Sequence, residues 1–472
     1  MKIDRRHFIR SSGALALASG AGATAAFSPF ASPAMAADTS GYKALVCVFL
    51  KGGIDCHDII LPFDEASYQA NANVRSTVMD AYRFLGGDAS RERADLLPLT
   101  PNNQSALGNR QFAMPPSMNA LHGLFQSGRA AVVGNVGPLI QPTTRSTFDS
   151  RSAALPRQLF SHNDQESTWM SLRTEGTATG WGGRFADTVR QGNGNPAFSA
   201  ISTGGHEVFL VGNETQQFQL HPTAGIQQLR DLEFTHLRGT GSRSDQLQQL
   251  LEDHYNQTGI ITSNYFERDL GTKMRQSLAN NALFNEAKES AGAIASPFPD
   301  SNLGDQLRAV ADTIALRGRL NVGRQVFIVT MSGFDTHTNQ ARTLPGMQRE
   351  ISEAIAAFYQ STIDLGVEDD VTLFTGSDFG RTLTANGEGT DHGWGGHQFI
   401  VGGAVNGRTI YGEMPDAGLG HEQELGNGRL IPTTSVEQFA APLGRWFGLS
   451  QNEVNAALPT LQNFAGAPLG FI

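Results

Sequence analysis

Three short apolar runs rich in β-branched residues dominate the pattern, and each passes straight into a polar, glycine-containing loop. Ala44-Leu-Val-Cys-Val-Phe-Leu50 leads into Lys51-Gly-Gly-Ile-Asp55, and Gln325-Val-Phe-Ile-Val-Thr-Met331 into Ser332-Gly-Phe-Asp-Thr-His337. Asp370-Val-Thr-Leu-Phe-Thr375 leads into Gly376-Ser-Asp-Phe-Gly-Arg381. Near-continuous apolar runs predict strands covered on both faces, as in a parallel sheet. Between the second and third, Met347 to Leu365 carries Ile351, Ile355, Phe358 and Ile363 close to helical spacing, and Asp305 to Leu320 predicts a helix before the second strand. Strand, helix and strand in this order predict a crossover within one large α/β sheet. Ala130-Ala-Val-Val-Gly134 predicts a further strand. Ser244 to Leu283, with the stripe Leu247, Leu250, Leu251 and Tyr255, predicts a covering helix pair, and Gln141 to Gly205 reads as irregular. Neither a repeat nor a low-complexity linker divides the pattern, so one domain with long insertions is expected.

Composition narrows the class. Of the 472 residues 39% are apolar and 17% charged, which suits a large core and argues against a disordered chain. Lys plus Arg number 35 against 45 for Asp plus Glu, a net charge of −10, so nucleic acid is not an expected partner. The longest apolar runs are too short for a membrane-spanning helix, and an integral membrane protein is not expected. The first 36 residues carry Arg5-Arg6, then Phe8-Ile9, a weakly apolar run from Ala14 to Phe27, and Ala34-Met35-Ala36. They resemble a twin-arginine signal peptide ending in a small-x-small cleavage site. Cleavage after Ala36 removes Lys2, Arg5, Arg6, Arg10 and Asp4, a net +3, and leaves −10 − 3 = −13. The expectation is an acidic periplasmic or secreted protein whose first partner is the twin-arginine export machinery. That route carries folded proteins, often with a cofactor in place. The two cysteines, Cys47 and Cys56, are too few for a disulfide framework, and Cys47 reads as a core residue of the first strand.

In open α/β sheets ligands sit beyond the carboxyl ends of the strands. The three strand-loop units place Asp55, then Asp335 and His337, then Asp378 and Arg381 at such ends. A fourth element, Gly389-Thr-Asp391-His392-Gly-Trp-Gly-Gly-His397, follows closely. Carboxylates and imidazoles are ligands for zinc, manganese, magnesium or calcium. Clustered carboxylates repel unless a cation holds them. Singly, each residue has another reading: Asp55 as a turn or cap, Asp335 to His337 as a self-bonded loop, Asp378 as a helix cap.

Phe49-Leu-Lys-Gly-Gly-Ile-Asp55, Gly333-Phe-Asp-Thr-His337 and Phe374-Thr-Gly-Ser-Asp-Phe-Gly-Arg-Thr-Leu383 form one set of motifs with Gly389 to His397, Arg429 to Ser435 and Asn463 to Phe471. With them the chain resembles DUF1501, a family of exported bacterial proteins placed in the alkaline phosphatase and sulfatase superfamily. The resemblance covers nearly all of residues 37–472 and implies a single alkaline-phosphatase-like α/β domain there. Such a domain has a large, mostly parallel central sheet, helices on both faces and long insertions. It also implies one or two divalent ions (zinc, manganese or calcium), with Asp55 and Asp378 at one, and Asp335, His337 and His392 at the other. The chain departs from the superfamily where Asp378 is followed by Phe379 instead of histidine.

For the nucleophile, Leu159-Phe-Ser161-His162-Asn-Asp-Gln165 resembles the family's Ser-His segment. Ser161 is the attacking group and His162 a catalytic partner or a ligand, unless both cap the following helix. Cys56 lacks the Cys-x-Pro-x-Arg setting of a sulfatase. Arg381 and His397 are candidates for binding the substrate's anionic group, Arg381 by a bidentate contact; a salt bridge is the other reading of Arg381. The function implied is an exported metal-dependent hydrolase of phosphate or sulfate esters using a metal-activated nucleophile. The rivals are a catalytically silent binding or assembly protein on the same fold, and a metal enzyme acting on an exported polymer.

Overall fold

Every residue from Ala44 to Leu50 is buried, and the strand they form is the spine of the molecule. The computed structural model describes residues 37–173, 176–223, 264–289, 294–466 and 468–472, with positions 250, 253–255 and 292 between them. The export signal expected over 1–36, and most of the stripe expected from Leu247 to Tyr255, lie outside the described residues.

In chain order the strands are β1 (Lys43–Lys51), β2 (Leu61–Pro62), β3 (Leu97–Pro98), β4 (Phe112–Met114), β5 (Ala130–Gly137), β6 (Ala200–Ser202) and β7 (Phe218–Gln219). There follow β8 (Arg324–Ser332), β9 (Val371–Ser377), β10 (Arg381–Ala385), β11 (Thr390–His392), β12 (Gly396–Val401), β13 (Ile410–Gly412) and β14 (Thr434–Ser435). Nine of them build one sheet in the order β13-β5-β12-β9-β1-β8-β6-β7, with β14 also on β5. All its pairings are parallel except the two made by β12. β2, β3 and β4 form a small separate sheet, and β10 and β11 a hairpin.

Successive side chains of a strand point to opposite faces, and β1 shows what that means for a doubly covered sheet. Ala44, Val46, Val48 and Leu50 enter a core shared with the helices Asn119–Gln126, Asn302–Ala315 and Gln340–Asp364. Leu45, Cys47 and Phe49 enter a second core, shared with the helices His162–Ser171, Trp181–Val189 and Val436–Phe447. Helices therefore lie on both faces of a mixed α/β fold. The crossover helix from β8 to β9 begins at Gln340 rather than Met347, because its polar first turns and Pro345 hide the apolar period.

The stretch Gln141 to Gly205 is not irregular. It holds the helices Arg145–Asp149, His162–Ser171 and Trp181–Val189. Its glycines mislead because one serves close packing: a Cβ on Gly183 would lie 2.2 Å from the backbone of Val211. Of the expected covering pair, the helix Tyr265–Glu289 is described, together with Leu250 and Tyr255 of the stripe. No helix among the described residues is long and apolar enough to cross a membrane.

Candidate metal centre

β1, β8 and β9 end side by side, with Lys51 opposite Ser332 and Leu50 opposite Ser377. The loops that follow them therefore leave from one edge of the sheet. Gly52 is required at this edge: its φ is +113°, and a Cβ there would lie 2.4 Å from the Asp335 backbone nitrogen. In that conformation its N–H points at both carboxylate oxygens of Asp378, 3.2 Å from each. The β10–β11 hairpin folds back on the same edge. It sets Arg381 opposite His392 and ties the Thr390 N–H to the Thr336 carbonyl at 3.0 Å. The helix His162–Ser171 brings His162 in from the second core.

Three imidazoles converge here on one carboxylate oxygen, and each is anchored from behind. His162 Nδ1 donates to Asp378 at 2.8 Å, His337 Nδ1 to Asp391 at 3.1 Å, and His392 Nδ1 to the Phe160 carbonyl at 2.7 Å. With the proton held at Nδ1, Nε2 of each neutral ring carries a lone pair. Those nitrogens lie 3.5, 3.0 and 3.2 Å from Asp335 Oδ1, in the order His162, His337 and His392. His337 and His392 also face each other Nε2 to Nε2 at 2.9 Å. Ligand atoms of His162, Asp335 and His392 all fall within 4.8 Å of one another. Phe379 packs its ring against His162 and His392, with centroids 4.7 and 4.8 Å apart, and walls one side.

Lone pairs aimed at each other and at a carboxylate call for positive charge among them, supplied either by a proton on one ring or by a bound cation. Three carboxylates, Asp335, Asp378 and Asp391, face one guanidinium, Arg381, whose Nη1 donates to Asp335 at 2.8 Å. Burial pushes the Asp335 carboxyl up, but the hydrogen bond and charge of Arg381, with His337 and His162 beside it, hold it below the usual range. Burial pushes His392 down, so that ring resists taking the missing proton itself. The hydrogen bond to Asp378 pushes His162 up. Anchored imidazoles around a carboxylate form a donor set that could hold a divalent ion, with hydrogen bonds behind each ring to orient it.

Residues 42–458 match the family described as "Protein of unknown function (DUF1501)". The chain belongs to the DUF1501 family. No curated protein matches it. Two solved structures resemble this DUF1501 chain distantly. That of Ps i-CgsB has a TM-score of 0.33 and 10% identity over 90% of this chain and 77% of that one. That of Ps i-CgsB in complex with k-i-k-neocarrahexaose has a TM-score of 0.31 and 9% identity over 88% and 74%.

Of the residues singled out from the DUF1501 motifs, Asp335, His337 and His392 come together, and His162 joins them. Asp378 stands behind His162, as the acceptor of its Nδ1 proton. Asp55 does not join the cluster. Its carboxylate is buried against the Arg75 guanidinium, accepts from Gln340 Nε2 at 2.7 Å and from the His57 N–H at 3.1 Å, and caps the turn Cys56–Asp58. Arg381 is buried and makes four hydrogen bonds, to Gly52 O, Asp335 Oδ1, Thr390 Oγ1 and Thr390 O. The salt-bridge reading holds for it, and the bidentate substrate contact does not. Ser161 precedes the helix, but its hydroxyl donates to Asp164 at 2.8 Å instead of capping the backbone. Cys56 is buried and its thiol is pushed up to about 12 by burial, the setting of an unreactive core thiol.

His397 is no substrate ligand in this DUF1501 chain. It lies inside β12, buried, with its Nδ1 accepting the Asn135 N–H at 3.1 Å. Burial pushes His397, and likewise His57, down to about 3. The unfolded chain then binds protons that the folded one refuses, so stability is complete above about pH 6.5 and is lost as pH falls toward 3. Each histidine removes about 1.4 kcal/mol per pH unit in that window. Urea unfolding at pH 7 and pH 5 is expected to show this loss, and His397→Asn to reduce it. Equal losses in the variant and the wild type would refute the assignment.

Proposed function

We propose that this chain is an exported metal-dependent hydrolase of phosphate or sulfate esters, with one divalent ion held by His162, Asp335, His337 and His392. The observation that carries the reading is the convergence of three back-anchored Nε2 atoms on Asp335 Oδ1. A donor set of three imidazoles and one carboxylate favours zinc or manganese over calcium, which prefers all-oxygen sites. A single ion is proposed because the Arg75 guanidinium occupies the carboxylate of Asp55 that a second would use. The strand order and the two helical layers are in keeping with an alkaline-phosphatase-like domain over residues 37–472. The Arg5-Arg6 segment supports removal of residues 1–36 during twin-arginine export to the periplasm or beyond.

The chemistry a bound divalent ion supplies is polarisation of an ester oxygen and acidification of a nearby hydroxyl. The chain's own part begins at Ser161. Its backbone runs between Phe160, whose carbonyl holds His392, and His162, so the residue is next in the chain to two of the cluster's anchors. Asp164 accepts that hydroxyl's proton, the position of a general base. Asp164→Asn is expected to slow turnover of aryl phosphate or sulfate by about a hundredfold while metal content stays at the wild-type level. Unchanged turnover would remove Ser161 and Asp164 from the mechanism.

The deciding test is hydrolysis of a panel of aryl phosphates and sulfates by protein loaded with zinc or manganese, stripped by chelator, and reloaded. Turnover that disappears and returns supports the reading; loaded protein that acts on neither class of ester ends it. A second reading, a catalytically silent binding or assembly protein on this fold, draws on the internal commitment of Arg381 and of the Ser161 hydroxyl. It predicts metal binding without ester turnover.

A further inference from the structure

A large open space lies away from the metal centre. A pocket of about 700 Å³ opens at the carboxyl ends of β6 and β7, and a second of about 570 Å³ adjoins it along the helix Tyr265–Glu289. The two share Gln216, Gln217, Phe218 and Ser277, so they form one trench. Its chemistry is unusual for a protein surface with 17% charged residues. Amides line it: Gln216 and Gln219 from the β7 segment, Gln276, Asn280 and Asn281 from the helix. None of these five amides is hydrogen-bonded to another described residue. Charge contributes little. Arg190 and Glu214 neutralise each other, Lys273 adds one cation, and the other titratable side chains of the lining are His206 and His221. Phe218, held edge-on to Phe198 at 4.9 Å between ring centroids, gives the shared wall an apolar face.

The trench is joined to the metal centre through a short, stiff path. Thr203 and Gly205, in its wall, belong to the loop after β6, and the Thr203 N–H bonds to β8 at Ile328. Glu207 in the same loop is 2.8 Å from Lys51, the last residue of β1. Lys51 is also 2.9 Å from Glu166, one helical turn beyond His162. One end of the trench thus opens at the carboxyl edge of the sheet, the edge on which the imidazoles converge, while its other end, lined by Asn195 to Ala197 and Glu214 to Gln217, lies ahead of β6 and β7.

We propose that this trench binds a neutral, polyhydroxylated chain, an oligosaccharide segment of an exported polymer, with one end of the bound segment at the sheet edge that carries the metal centre. Amides that offer both a donor and an acceptor match sugar hydroxyls, which do the same, and a fixed aromatic face suits the apolar side of a pyranose. A strongly anionic chain would find almost no cations in the trench, and an apolar one would strand its amides. The proposal deepens the hydrolase reading above: the segment in the trench is unesterified, and the phosphate or sulfate ester to be cleaved is borne elsewhere on the same polymer. It rests on that reading for the polymer's fate but not for its binding.

The test is calorimetric titration of the mature protein with xylohexaose, cellohexaose and chitohexaose, each in metal-loaded and chelator-treated samples. At least one hexaose is expected to bind at about 1 mM or tighter in both samples. The triple variant Gln216→Ala, Gln219→Ala and Asn281→Ala is expected to bind it at least about tenfold more weakly, with an unchanged circular dichroism spectrum and melting temperature. These positions are solvent-facing or half-buried and their side chains make no hydrogen bond to another described residue, so the fold should survive. Absence of binding by all three hexaoses, equal binding by the variant, or preference for a polyanionic oligosaccharide or a peptide would overturn the proposal. Binding without ester turnover by the loaded protein would end the hydrolase reading and leave the trench. Ester turnover without hexaose binding would do the reverse.

Discussion

Asp55→Asn is expected to destabilise the protein by about 3–5 kcal/mol and to leave the metal content of the folded molecules unchanged. Arg75 sits at the junction of the helices Glu65–Val74 and Ser76–Leu85, with about 1% of its side chain exposed. Its charge is answered by Asp55; the Leu383 carbonyl, at 3.5 Å, is a weak second partner. Removing the carboxylate's charge strands a guanidinium in a low-dielectric interior, the costly half of breaking a buried pair. It also loosens Gln340, which donates to Asp55 and accepts from Thr336 and Thr390, the threonine that orients Arg381. Replacing both charges removes the stranded ion. The double variant Asp55→Asn, Arg75→Met is therefore expected to recover part of the loss in urea unfolding. A metal ligand would behave in the opposite way: the single variant would release metal, and the second substitution would restore none. That result would return Asp55 to the metal site.

The case of Asp55 shows where a sequence stops informing. β1, β8 and β9 are legible because each is apolar on both faces, and from them the shared edge follows, with Asp335, His337, Asp378 and Arg381 on it. What each residue does there depends on partners that no local pattern announces. Arg75 lies 20 residues beyond Asp55 at a helix junction, and nothing in Asn-Val-Arg-Ser marks it as a buried counter-ion. His162 is recognisable as a candidate, but the orientation of its ring depends on Asp378, 216 positions away. The Phe160 carbonyl that fixes the tautomer of His392 is backbone and leaves no trace in the residue pattern at all. His397 is a different failure. The glycines before it suggest a loop, whereas Gly396-His-Gln-Phe-Ile-Val401 is the antiparallel strand β12, buried throughout.

His392→Ala and Asp335→Ala are expected to abolish metal binding, which elemental analysis of the purified, dialysed protein measures directly. Asp335 Oδ1 is the point on which the three Nε2 atoms close, so its loss removes the anionic member of the donor set. His392 is held by the Phe160 carbonyl with its lone pair aimed inward before any ion arrives, and alanine removes that nitrogen. Asp378→Asn tests a different role. It leaves all four proposed ligands in place and weakens only the anchor behind His162, so affinity should fall by about 10–100-fold, with stoichiometry restored at high metal concentration. This graded series distinguishes a metal centre from a structural polar cluster. In a cluster held by protons alone, none of the three substitutions would alter metal content, while Asp378→Asn would perturb folding most, because Asp378 is buried and braces Gly52 as well as His162. If His392→Ala and Asp335→Ala both keep the wild-type metal content, the cation that balances Asp335, Asp378 and Asp391 is a proton on His162, whose hydrogen bond to Asp378 already favours the charged ring.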